Sequence, residues 1–270
     1  MTGVQTCALP ISTTLATVPA NALAKAVMVA REPLVLAGVA LAEAAFLELS
    51  YDIKITRAAE DGRALKAGDA ILRLEGPAQP LLTAERVALN FVQRLCGIAT
   101  LTAQFVQAIQ GTRAKILDTR KTTPGLRLLE KYAVTCGGGQ NHRFGLDDMV
   151  LIKDNHLVAL QNASPNPIAA AVLRVRLKYP QLKVEVEADT LPQVAQAVDA
   201  GADIDLLDNM TSEQLTAAVR LVAGRAQTEA SGGVTLQTVR AVAETGVDFI
   251  SVGAITHSAR AVDVALDFES

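Results

Sequence analysis

Six short runs of β-branched and apolar residues recur between Lys115 and Ala254: KILDT, MVLIK, KVEVEA, DIDLLD, AQTEAS and FISVGA. The segments between them have helical spacing: TPGLRLLEKYAV, NPIAAAVLRVRLKY, LPQVAQAVDAG, TSEQLTAAVRLVA and TLQTVRAVAETG. Hydroxyls or proline at Thr190-Leu191-Pro192 and Thr211-Ser212-Glu213 suit helix starts. Strands that recur roughly every 20 to 35 residues, each followed by a helix, form βα units and pair in parallel. Such a series closes into an α/β barrel or an incomplete one.

The first eighty residues read differently. Val27 and Val29 alternate as in a strand, and REPLVLAG is a second apolar run closed by Gly38. VALAEAAFLEL places Val39, Ala42, Phe46 and Leu49 on one helical face. Ile53 and Ile55 alternate, and the run around Ile71 to Leu74 ends at Gly76-Pro77. This predicts a small α+β domain with a mixed or antiparallel sheet. A long helical pattern follows from Leu81 to Ile109, with Leu89, Val92, Leu95 and Phe105 facing inward and Gly97 expected to divide it into two helices. The expected division is residues 1–14 as an atypical N-terminus, 15–80 as the first domain and 81–114 as a helical connection. Residues 115–258 are then the barrel, and 259–270 return to the first domain.

At 270 residues the chain can bury a large core, and no uninterrupted apolar run is long enough for a bilayer. A soluble protein is expected. A net charge of -3 and 3% aromatic residues argue against a nucleic-acid surface. Cys7, Cys96 and Cys136 are odd in number and form no CxxC, so neither a disulfide framework nor a zinc site is expected, and a reducing cytoplasm fits. Cys136, before three glycines, reads as a small buried residue more than as a nucleophile. MTGVQTCALPIS lacks the basic start and long apolar centre of a signal peptide, and residues 1–10 are expected to be disordered or foreign to the fold.

Against this mildly acidic background, the stretch from Ile116 to His156 gathers Arg120, Lys121, Arg127, Lys131, His142, Arg143, Lys153 and His156. Cations at strand ends suit a substrate with more than one acidic group, since the guanidinium fork pairs two oxygens of a carboxylate or phosphate. Each barrel strand ends in polar residues or a glycine turn, where barrel enzymes place their chemistry. Ser231-Gly232-Gly233 and Ser251-Val252-Gly253-Ala254 are small turns that backbone N–H groups could turn toward a phosphate, aided by a following helix. Glu187 and Asp208 lie on neighbouring strands. They could work as acid and base, bind sugar hydroxyls, hold Mg²⁺ through water, or simply pair with Lys153. Lys153 could form a Schiff base, but its cationic neighbours favour pairing with an anion. Arg86 reads as a solvated helix charge, and His257 as a phosphate cap or an ordinary helix-start residue.

The segments ERVALNFVQRLCGIAT, DTRKTTPGLRLLEKYAV, CGGGQNHRFGLDDMVLIKDNH, VEVEAD, DLLDNM, EASGG and SVGAITHSA resemble, in order, those of the quinolinate phosphoribosyltransferase family. The resemblance runs from about Ala20 to the C-terminus. It implies an N-terminal α/β sandwich domain and a C-terminal α/β barrel, the type II phosphoribosyltransferase fold. The implied reaction joins quinolinate to phosphoribosyl pyrophosphate and releases pyrophosphate and CO₂, leaving nicotinate mononucleotide, with Mg²⁺ required. Arg120, Lys121, His142, Arg143 and Lys153 are then expected around the quinolinate carboxylates and pyrophosphate, with Lys121, Lys153, Glu187 and Asp208 as the catalytic set. Glu187 and Asp208 would hold ribose hydroxyls and the metal. Ser231, Gly232 and Gly253 would hold the 5-phosphate, with His257 nearby. Arg86 would enter from the partner of a homodimer with shared sites, itself able to build a hexamer. The family begins with helices and an acidic segment ending Asp-x-Thr-Thr. Only Ser12-Thr13-Thr14 matches that tail here. Two other readings stay open: a related protein found with molybdate-transport genes, and a non-catalytic binding protein.

Overall fold

The computed structural model describes residues 12–269. The expectations for residues 1–11 lie outside that range. The chain begins α1 (Ser12–Thr17), β1 (Leu23–Ala30), β2 (Leu34–Val35), α2 (Val39–Leu47), β3 (Lys54–Arg57), β4 (Ala64–Leu65), β5 (Ala70–Pro77) and α3 (Ala78–Ala108). It continues β6 (Lys115–Leu117), α4 (Arg127–Cys136), β7 (Val150–Ile152), α5 (Asp154–Val158), α6 (Pro167–Lys178), β8 (Val184–Ala188) and α7 (Leu191–Asp199). It ends β9 (Ile204–Asp208), α8 (Ser212–Val222), β10 (Gln227–Ser231), α9 (Val239–Glu244), β11 (Phe249–Ser251), α10 (Ala254–His257) and β12 (Val264–Phe268). Two compact units result: one runs to Thr100 and takes in the chain from Ala259, the other is Leu101–Ser258.

In the first unit β12, β1, β5 and β3 form an antiparallel sheet in that order. Its core joins Ala26, Met28 and Ala30 of β1 to Leu72 and Leu74 of β5, Phe46 of α2, and Leu81, Leu89 and Val92 of α3. The buried face of β1 is thus the one opposite Val27 and Val29, which are half-buried. Leu49 lies beyond the end of α2 and is 44% exposed, so it does not extend that helix's inner face. Gly97 does not break α3. A Cβ there would come 2.0 Å from the carbonyl oxygen of Arg260, so the glycine admits a close backbone and the helix runs on.

The second unit is a six-stranded parallel sheet in the order β6-β11-β10-β9-β8-β7. Each strand pairs with the next in sequence from β7 to β11, and β11 turns back to β6. β6 and β7 stand at opposite ends of this order and do not pair, so the barrel is incomplete. Gln140, ahead of β7, forms a parallel bridge with Leu117: its N–H donates to Ile116 O at 2.8 Å and its carbonyl accepts from Asp118 N at 3.1 Å. Alternation sets what each strand turns inward. Val184 and Val186 of β8 join Ile168, Val172 and Ala197 of the covering helices, while Glu185 and Glu187 share the opposite face.

Candidate active site

A cavity of about 760 Å³ opens at the carboxyl ends of these parallel strands. β6 delivers Thr119, Arg120 and Lys121 to it, and β7 delivers Lys153. β8 supplies Glu187; β9 supplies Asp208 and Asn209. Ser231, Gly232 and Gly233 follow β10, and Gly253 follows β11. His142 and Arg143 come from the loop before β7, and His257 from α10. All the expected site residues except Arg86 therefore line one cavity. Arg86 is exposed on α3 in the first unit.

One group of cavity residues comes from small turns. Gly232 has φ +97° and its Cβ position lies 2.1 Å from Asn209 Oδ1, so only glycine fits beside that side chain. Gly253 is flanked by His257 and by the Lys121 side chain. Lys121 is fixed through its backbone: its N–H donates to Thr119 Oγ1 at 3.1 Å, and its carbonyl accepts from Thr256 Oγ1 at 2.8 Å. The expected helix start follows only β11, as the short α10. After β10 the chain turns for several residues before α9 begins at Val239, so the turn itself must do the cradling there.

A second group is cationic. Burial lowers the pKa of Arg143, and the charge of Arg120 lowers it further, so the two guanidinium groups share one region. Arg143 donates to Met149 O at 3.1 Å. The Nε of Arg120 is buried with no hydrogen-bond partner among the described residues, a donor available to a ligand. Lys153 and Glu187 form an ion pair at 2.7 Å, with the Lys153 side chain 47% exposed. Two other cations of the stretch point elsewhere. Lys131 is fully buried against Asp118. Arg127 donates to Thr122 Oγ1 at 3.2 Å and to Phe144 O at 3.1 Å.

Beneath His142 lie two buried glutamates. Its Nε2 is 3.1 Å from Glu185 Oε2 and 3.6 Å from Glu229 Oε2. Burial pushes Glu185 up to about 7; burial and then the charge of Glu185 push Glu229 up to about 8. Among the described residues this trio is the group close enough to hold a metal ion. The imidazole argues against it. The N–H of Arg143 donates to His142 Nδ1 at 2.8 Å, which leaves the ring proton on Nε2, the nitrogen nearer the carboxylates. A metal-bound histidine does the reverse, binding through one nitrogen and donating from the other.

Sequence reasoning left Glu185, Asp118 and Asn209 out of the site. Glu185 was legible: in VEVEA it stands two positions before Glu187, so strand alternation puts both on one face. Asp118 carried no comparable signal, because no strand or helix period links it to its partners, Lys131 and the loop at His142. Cys136 sits half-buried at the end of α4 and does not line the cavity.

No helix among the described residues is long and apolar enough to cross a membrane. Comparison with known proteins gives concordant matches. The family described as quinolinate phosphoribosyl transferase matches through its N-terminal domain over residues 12–96 and its C-terminal domain over residues 98–267. The nicotinate-nucleotide pyrophosphorylase (carboxylating) of Mycobacterium leprae is 45% identical over 260 residues, covering 94% of this chain and 90% of that protein. A probable enzyme of the same name from Bacillus subtilis is 42% identical over 244 residues, covering 90% and 83%. The solved nicotinate-nucleotide pyrophosphorylase from Francisella tularensis superposes with a TM-score of 0.90 at 40% identity, covering 98% of this chain and 93% of that one.

Proposed function

Because the chain belongs to the quinolinate phosphoribosyltransferase family, we propose that it transfers phosphoribosyl from phosphoribosyl pyrophosphate to quinolinate. The products are nicotinate mononucleotide, pyrophosphate and CO₂, and the step belongs to NAD biosynthesis. The observation that carries this reading is that one cavity gathers two groups: Arg120 with Arg143, and the Gly232 and Gly253 turns with Lys121. A dicarboxylate suits the first group through paired hydrogen bonds. A phosphate ester suits the second.

The chemistry follows from this layout. Pyrophosphate departs from the anomeric carbon, which gains positive charge, and the carboxylates of Glu187 and Asp208 favour that charge. Lys121 balances the negative charge on the phosphates. The pyridine nitrogen closes on the anomeric carbon and the ring becomes cationic. That ring accepts the electron pair released when the adjacent carboxylate leaves as CO₂, and a proton then replaces it on carbon. Lys153, held against Glu187 at 2.7 Å, is placed to bind the substrate's negative charge.

Magnesium belongs to this reading. Glu187 and Asp208 offer hard oxygen donors at the cavity wall, but each already holds a partner: Lys153 at 2.7 Å and the Asn209 amide at 2.6 Å. They suit an ion that keeps water and substrate oxygens, as Mg²⁺ does, rather than an all-protein cage. When bound it would offset charge on the leaving pyrophosphate. The assembly in this reading is a homodimer with Arg86 reaching the partner's cavity, and the compartment is the cytoplasm. The cysteine pattern supports that compartment, with Cys96 buried and accepting the Ala37 N–H at 3.2 Å.

The test is to mix purified protein with quinolinate, phosphoribosyl pyrophosphate and Mg²⁺ and assay nicotinate mononucleotide and CO₂. Stoichiometric appearance of both is expected. Quinolinate binding without turnover would instead favour a binding protein, and turnover of a different base would favour the relative found with molybdate-transport genes.

A further inference from the structure

The gap between β6 and β7 is crossed by the segment that carries His142 and Arg143 into the cavity. Backbone pairing holds this segment only at its start, where Gln140 bridges to β6. Beyond that point the backbone of His142 is held by one buried ion pair. Asp118, at the end of β6, and Lys131, on α4, are both fully buried and in contact. Asp118 Oδ1 accepts the N–H of His142 at 2.9 Å, and Lys131 Nζ donates to the carbonyl of His142 at 2.9 Å. Both backbone polar groups of His142 are thus taken by the two members of one ion pair. The Asn141 side chain completes the arrangement: with its nitrogen turned inward it donates to Asp118 Oδ2 at 2.6 Å and to Lys131 O at 3.0 Å.

We propose that Asp118 and Lys131 are positioning residues for the base-binding end of the cavity, acting through the backbone of His142 to set where Arg143 lies. Stability alone is a weak reason for such a pair. Desolvating two charges costs several kcal/mol, and apolar residues of similar size often replace a buried pair without loss. What apolar residues cannot do is hold the N–H and the C=O of one peptide segment at once. The same helix also grips the neighbouring loop: Glu130 accepts from Thr123 Oγ1 at 2.7 Å and from Thr123 N at 3.1 Å. The network reaches the cavity through the backbone of His142, next to Arg143, so its effect is expected chiefly on the substrate that Arg143 binds.

This inference rests on the proposed reaction, and the test separates the two. If wild-type protein neither binds quinolinate nor forms nicotinate mononucleotide, the reaction is wrong. Given wild-type turnover, the neutral double variant Asp118→Asn/Lys131→Met is compared with it in steady-state kinetics, with circular dichroism and melting as checks of folding. The KM for quinolinate is expected to rise about tenfold or more, the scale of lost charged hydrogen bonds. The KM for phosphoribosyl pyrophosphate should change by less than about threefold. A folded double variant with wild-type KM for quinolinate overturns the proposal, as does an equal rise in both KM values. Should the double variant not fold, Asn141→Ala decides. That residue is half-buried and its removal leaves the ion pair in place. It should raise the KM for quinolinate selectively, by about threefold or more, and a folded Asn141→Ala protein with both KM values unchanged overturns the proposal.

Discussion

His142 and Glu185 meet inside the barrel, with Nε2 of the imidazole 3.1 Å from Oε2 of the carboxylate and Glu229 0.5 Å farther, at 3.6 Å. A neutral imidazole above two acids that titrate near neutrality makes the core pH-sensitive. Glu229, pushed up to about 8, and Glu185, pushed up to about 7, bind protons in the folded state that they release when unfolded, where a glutamate titrates at ~4.3. Their stabilising contribution is complete below that unfolded value and is lost as pH rises through the folded values. His142, lowered by burial, works in the opposite sense but only below its ordinary value of ~6.5.

The melting temperature should therefore fall as pH rises from about 6.5, above which His142 no longer opposes the effect, to about 8, and Glu229→Gln should flatten that fall. Scanning calorimetry of both proteins across this range is the measurement. Parallel pH profiles for the two would show that Glu229 does not carry the effect.

Gly232 is expected to resist substitution for two separate reasons. Its φ of +97° disfavours any side chain, and a Cβ would sit 2.1 Å from Asn209 Oδ1. Gly232→Ala should cost about 1–3 kcal/mol in stability. It should also raise the KM for phosphoribosyl pyrophosphate more than that for quinolinate, because Asn209 and the turn belong to the phosphate end. Chemical denaturation with two-substrate kinetics checks both. A variant with unchanged kinetics would remove this turn from the phosphate site.

How much of this was legible in the chain follows from which interactions are local. The βα rhythm, the six parallel strands and the cationic strand ends rest on alternation and short motifs, which survive in one dimension. The polar residues after KIL, VLI and VEVEA were legible as a set because parallel strands bring their ends together. Lys131 was not legible as a core residue. It reads as one more cation beside Arg127, and its contacts with Asp118 and the carbonyl of His142 make its burial tolerable. Gly97 failed the same way. Helix propensity predicts a break, and the reason for continuity is a backbone carbonyl contributed by Arg260, far along the chain. The open seam between β6 and β7 depends on pairing order, which no local pattern encodes.

Lys121 should separate chemistry from folding. Its position depends on backbone hydrogen bonds to Thr119 and Thr256, and its side chain is exposed beside Gly253. Lys121→Ala should therefore melt close to wild type, within the roughly 0.5 kcal/mol typical of exposed sites. Turnover should drop by about 10²-fold or more if the ammonium balances phosphate charge during bond breaking. Single-turnover rates and melting curves test this together, and near-normal rates would take Lys121 out of the mechanism.

Arg86 tests the assembly itself. It is exposed on α3 in the first unit, and its proposed role is to enter the cavity of a partner. Arg86→Ala and Lys153→Ala should each be nearly inactive alone. The Lys153 change should leave stability almost intact, since its pair with Glu187 is half-exposed and exposed pairs contribute little. Mixed and allowed to exchange subunits, the two variants form heterodimers in which one of the two sites has both Arg86 and Lys153 and the other has neither. Random mixing makes half of the dimers hetero, so the expected recovery is about a quarter of wild-type activity per site. Recovery near that level, rising with the heterodimer fraction measured by native mass spectrometry, supports a shared site. Heterodimers without recovered activity would confine catalysis to one chain and return Arg86 to the role of a solvated helix charge.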